Sequence, residues 1–128
     1  MRLLRTEFAL RAIILALMLA MTTSSAIADE TGDAHRLAVS GRDDYWNCLA
    51  REFPRESNKS LSEHDFGALI ASACPSERQN FRVALVDFLG LQFPNNEAGA
   101  NMTTANNAIA LAQKDIVTAF ARRKAAAK

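Results

Sequence analysis

"FGALIASACPSERQNF", residues 66 to 81, sets a cysteine directly before a proline between two apolar stripes of helical spacing. Phe66, Leu69, Ile70, Ala73 and Cys74 fall on one face of a helix. Pro75 lacks an amide hydrogen and disfavours helical geometry at Cys74, so this helix either kinks there or ends and a new one starts. Beyond the joint, Phe81, Ala84, Leu85, Phe88 and Leu89 form a second stripe. Val83 and Val86 widen it until the helix is apolar over much of its surface, the pattern of a central helix. Gly90 is expected to close it in a left-handed cap, with Leu91 over Val86, and Pro94 forbids continuation.

Outward from this core, "PRESNKSLS" (54–62) is a polar connection. Ser60 with Glu63, or Ser62 with Asp65, offers a cap for the helix that follows. Upstream, Trp46, Leu49 and Phe53, flanked by Tyr45 and Cys48, predict a helix that opens at Asp43 and Asp44 and stops at Pro54. Downstream, "QFPNNEAGAN" (92–101) reads as a loop. The last helix is expected from Thr103 or Thr104, with Ala105, Ala108, Ile109, Ala112, Ile116, Ala119 and Phe120 as its stripe. Its basic end, Arg122, Arg123, Lys124 and Lys128, suits the negative pole of the helix dipole. No alternating strand pattern occurs after residue 28. The fold class expected is all-α, a small three- to four-helix bundle with one interhelical disulfide.

The first 28 residues carry Arg2, Arg5 and Arg11, an apolar run from Ala12 to Met21, and small residues at Ala26 and Ala28. This is the grammar of a secretory signal cleaved after Ala28. The apolar run is about half of the ~20 residues that a membrane span requires, so no stable membrane insertion is expected after cleavage; the competing reading is an uncleaved N-terminal anchor. Residues 29–42, "DETGDAHRLAVSGR", are polar with two glycines and read as a flexible lead-in. Residues 43–128 then form a single helical domain. Of the 15 basic and 14 acidic residues of the chain, three and one leave with the signal, so 12 face 13 in the remainder. That balance supplies no long-range field for nucleic acid or an anionic membrane.

Two cysteines in a small exported domain read first as a disulfide, since compartments beyond the cytoplasmic membrane are oxidising. At ~1.5 Å per residue, Cys48 stands roughly 7 to 8 Å before the end of its helix and Cys74 roughly 16 Å beyond the start of the next. The polar connection spans that stagger at about 3.3 to 3.6 Å per residue. Two other readings compete. A dithiol redox site normally has its sulfurs close in sequence, with a low thiol pKa at a helix N-terminus. Metal ligation would have to recruit His35 or His64, and neither has ligand spacing. The site residues expected are therefore Cys48 and Cys74 as a disulfide, with no catalytic residue, cofactor or metal.

The remaining candidates read as structure. Glu63, His64 and Asp65 gather acid-base groups, but neighbours on a helix point apart, and a solvated helix start accounts for them. Tyr45 and Trp46 could form an aromatic platform, yet helical spacing favours core. Asn58 ("NKS") and Asn101 ("NMT") open glycosylation sequons in expected loops, acceptors only in a host with the machinery. The basic C-terminus reads as a solvated tail.

The pattern "YWNCL" followed by "ALIASACPSER" and an apolar helix resembles a loose group of small uncharacterised exported proteins of proteobacteria, over roughly residues 45 to 90. In that group a Cys-Leu helix and an Ala-Cys helix form a disulfide-bonded hairpin, which implies pairing of Cys48 with Cys74. A fainter likeness is to periplasmic acid-stress chaperones, also small, helical and single-disulfide. The expectation is a non-catalytic, exported, periplasmic or secreted protein that binds another envelope component, with an acid- or stress-activated chaperone as the alternative. The partner, the binding surface and the oligomeric state are not written in the sequence.

Overall fold

A computed structural model of the chain describes residues 22–128, with side chains from residue 27. The signal-like run therefore lies outside the described residues up to position 21. Four α-helices are described, with no strand among these residues: α1 Thr22–Glu52, α2 Glu63–Ser72, α3 Pro75–Gln92 and α4 Ala98–Ala126, plus a 3-10 turn at Glu56–Asn58. The chain divides into two compact units at Asp33. Of the first, the described part is the opening of α1; the second, Ala34–Lys128, holds the bundle. The helical class and the interhelical disulfide are as expected, and no described helix is long and apolar enough to cross a membrane.

The largest departure concerns residues 29–42. Expected as a flexible lead-in, they are helical within α1, and Ala34 and Ala38 are buried. Small side chains explain both the burial and why a search for bulky apolar groups overlooked it. A Cβ built on Gly41 would stand 3.1 Å from the Cα of Phe81, so α1 and α3 meet there almost backbone to backbone. Ala34, Ala38, Gly41 and Tyr45 recur every three or four residues, the period of a single helical face.

Local chemistry sets the other boundaries. Ser62 is the N-cap of α2: it sits in extended geometry and its side chain accepts from the Asp65 amide, the donor that a helix start leaves orphaned. Ala73 ends α2 with ψ at 155°. Cys74 then takes φ 53° and ψ 50°, and Pro75 opens α3. Thus the proline divides two helices rather than kinking one. Cys74 is the only non-glycine residue with positive φ among those described, a conformation that costs an L-residue about 1–2 kcal/mol.

Three expectations about α3 and α4 are corrected. No described glycine has positive φ; Gly90 lies inside α3, which runs on to Gln92, so no left-handed cap forms there. The last helix begins at Ala98 rather than at Thr103 or Thr104, whose hydroxyls bond back to the carbonyls of Gly99 and Ala100. The central helix is α4, not α3. It buries Asn101, Ala105, Ile109, Ala112, Ile116 and Phe120 along its length, whereas α3 fully buries Phe81 alone and leaves Val83 exposed.

These contacts define the topology. Phe66 of α2 stacks on Phe120 near the end of α4, while Arg82 of α3 donates to Asn106 near its start, at 2.9 Å. So α2 and α3 follow one another along α4, antiparallel to it. Helix α1 closes the third side through Tyr45, which meets Phe81 and receives a hydrogen bond from Gln113 at 2.9 Å. The core gathers Tyr45, Leu49, Phe66, Ile70, Phe81, Ile109, Ile116 and Phe120. Burial of such side chains at about 1.5–3 kcal/mol each provides the driving force.

Candidate functional site

The best-defined chemical centre is the joint between α2 and α3. Cys48, one turn from the end of α1, is bonded to Cys74 at the N-cap of α3, with the Cα atoms 6.1 Å apart. Cys74 lies here in a left-handed conformation, between the end of α2 at Ala73 and Pro75, which opens α3. No free thiol remains. The bridge closes a separation of 26 residues around the whole of α2.

A third group stands beside the sulfurs. Ligand atoms of Cys48, Cys74 and Glu77 all lie within 4.8 Å of one another. The sequence reading considered only histidines as additional ligands, and so missed Glu77. The signal was nonetheless present: a carboxylate three residues after a cysteine that opens a helix shares its face. Glu77 also lines a polar pocket of roughly 310 Å³ with Asp44, Asn47 and Arg51 of α1 and Asn80 of α3. The pocket is thus built by the two helices that the disulfide ties together.

The other sequence candidates are not brought into this centre. Glu63 and His64 line a shallow depression with Gly67, Ala68 and Val117. Asp65 faces its own helix cap: the Ser62 hydroxyl donates to its carboxylate at 2.8 Å, and His64 Nδ1 lies 3.5 Å away. Those contacts, Ser62 foremost, hold the Asp65 carboxyl below its ordinary value, against a small opposing effect of desolvation. His35 packs its ring on Phe88 at 5.0 Å. Tyr45 is fully buried, and Trp46 lies partly buried against the core.

Both sequon asparagines prove to be the two buried polar residues described. Asn58 donates its amide to the Glu52 carbonyl at 2.9 Å and so satisfies the end of α1; Asn101 receives a hydrogen bond from Asn96 at 3.4 Å. A glycan on the Asn58 amide nitrogen would remove one of its two donors to Glu52. Two of the four C-terminal basic residues are docked on rings, whereas Arg122 and Lys128 are exposed. Arg123 lies over the Phe53 ring at 5.0 Å, and Lys124 lies over Phe120 and donates to the Leu61 carbonyl. Cation–π contacts of this kind add about 0.5–1 kcal/mol each.

No protein-family model matches the chain, and no curated protein or solved structure is significantly similar to it.

Proposed function

We propose that the protein is exported and acts without catalysis, as a disulfide-clamped helical module that binds another protein of the cell envelope. The observation that carries this reading is the apolar rim around the α3–α4 turn. Leu91, Phe93 and Met102 keep 36%, 48% and 42% of their surface exposed, in a stretch where every residue from 90 to 100 is exposed. An aromatic ring held in water by a short turn adds little to the core, and aromatic and methionine side chains are enriched where proteins meet. Export is supported by the signal grammar of residues 1–28 and by a disulfide of the kind that persists in oxidising compartments.

The test places a photoreactive amino acid at position 93, with the exposed Lys114 as the control position. A discrete crosslinked protein from position 93 in intact cells, absent from position 114, is the expected result. Equal labelling from both positions, or none from 93, counts against the proposal. Intact mass of the cellular protein checks export separately, through loss of residues 1–28.

A second reading, an acid-activated chaperone, is favoured by the way carboxylates hold the α1–α2 connection. Glu52 pairs with Arg55 at 3.2 Å, Glu56 with Lys59 at 2.6 Å, and Asp65 with the Ser62 cap. Of these carboxylates, Asp65 is held below its ordinary value by the Ser62 hydroxyl, so acid must go beneath the ordinary aspartate range to release that cap. Suppression of client aggregation near pH 3, together with newly exposed dye-binding surface, is the outcome this reading requires.

A further inference from the structure

We infer that reduction of the Cys48–Cys74 disulfide converts the joint into a Zn²⁺ site whose ligands are the two thiolates and the Glu77 carboxylate. This goes beyond the binding role proposed above and stands independently of it. Three features support it.

First, the donors are already assembled from two elements. Cys48 comes from α1, Cys74 and Glu77 from the start of α3, and their ligand atoms fall within 4.8 Å. Two zinc–sulfur bonds of ~2.3 Å in tetrahedral geometry hold sulfurs roughly 3.8 Å apart. Cysteines with Cα atoms 6.1 Å apart reach that separation by side-chain rotation. Second, the donor set selects the metal. Two thiolates reject Mg²⁺ and Ca²⁺, which take oxygen, and a carboxylate is a poor partner for Cu⁺; a mixed sulfur–oxygen tetrahedron suits Zn²⁺. Water entering through the polar pocket that Glu77 lines completes the fourth position.

Third, the charges balance. Zn²⁺ with two thiolates and one carboxylate carries a net charge of about −1 by simple addition of ligand charges. That charge lies at the N-terminus of α3, the positive pole of the helix, and Arg51 lines the adjoining pocket.

The reaction requires a two-electron reductant, such as a thiol, or a phosphine that takes up oxygen from water to become its oxide. Two equivalents of R–SH break the S–S bond, leaving two cysteine thiols and one R–S–S–R. Zn²⁺ then displaces the two thiol protons to solvent. Oxidation of the dithiol by a disulfide oxidant reverses the sequence and expels the metal. The site is therefore filled only in the reduced protein.

The test uses Co²⁺ as a spectroscopic substitute and Zn²⁺ in competition, on the purified protein reduced with a phosphine and freed of it without oxygen. One Co²⁺ per chain with a sulfur-to-cobalt charge-transfer band, displaced by Zn²⁺ and absent from the oxidised protein, is expected. Glu77→Gln should weaken binding at least tenfold, and Cys48→Ser or Cys74→Ser should abolish the band. An unchanged affinity in Glu77→Gln overturns the ligand set, and no band in the reduced protein overturns the site. Far-ultraviolet circular dichroism on the same samples covers loss of fold on reduction. Helix regained on adding Zn²⁺ supports the site; helix that stays lost, with no band, overturns it.

Discussion

Phe66 lies flat on Phe120, with ring centroids 3.9 Å apart and planes inclined by 12°. Phe53 meets the same Phe120 edge-on at 6.4 Å, so one ring at the end of α4 fastens both α2 and the turn that leaves α1. Replacing Phe66 or Phe120 by Ala should each cost about 3–5 kcal/mol. The double variant should lose less than the sum, by the roughly 0.5–1.5 kcal/mol ascribed to an aromatic pair. Urea denaturation of the four proteins in the cycle measures that coupling, and strict additivity would show that the stacking contributes nothing beyond burial.

The bridge and the backbone at Cys74 act in opposite directions. Removing the disulfide in Cys48→Ala/Cys74→Ala should cost about 3–4 kcal/mol through loop entropy. A companion protein, Cys48→Ala/Cys74→Gly, lacks the same bridge but relieves the left-handed conformation at φ 53°. The ~1–2 kcal/mol relief is partly offset by the ~0.4–1 kcal/mol of extra freedom that Gly gives the unfolded chain. The glycine version should therefore be the more stable by about 0.5–1 kcal/mol, a difference visible in melting temperature.

Two glycines within helices should respond with opposite sign. At Gly90 nothing lies within 4 Å of an added Cβ, so Gly90→Ala should stabilise by about 0.5–1 kcal/mol through helix propensity. At Gly41 the added carbon meets the Phe81 backbone at 3.1 Å. Gly41→Ala should destabilise, since overpacking at about 1–3 kcal/mol outweighs the same propensity gain. Thermal melts of the two single variants settle the comparison.

Acid should act on the start of α2 in a stated direction. The Asp65 carboxyl is held below its ordinary value, chiefly by the Ser62 hydroxyl. Its folded pKa is thus the lower one, so its stabilising contribution is complete above the unfolded value and fades as pH falls toward the folded one. Carboxyl-detected NMR should find Asp65 titrating below an unstructured aspartate, and Ser62→Ala should move it back up. An Asp65 titration unmoved by Ser62→Ala would refute the assignment of cause.

How far the fold was legible depended on side-chain size. Bulky residues at helical spacing located α2, most of α3 and the stripe from Ala105 to Phe120, and Ser62 was among the caps expected for α2. What escaped was the face made of Ala34, Ala38 and Gly41, because it packs by closeness of backbone rather than by apolar area. The same bias made α3, rich in Val and Leu, look central, although it is the stripe of α4 from Asn101 to Phe120 that runs the length of the core. At the candidate site the cysteine pair was legible from composition and from the signal grammar of residues 1–28. Glu77 was legible only from its spacing, three residues after a cysteine that opens a helix, and histidines alone were weighed as further ligands.

Since the sulfur bridge closes a ring around α2, one peptide-bond cleavage anywhere between residues 49 and 73 leaves the two pieces covalently joined. The nicked protein would run as a single species until reductant is added, and then separate into two fragments.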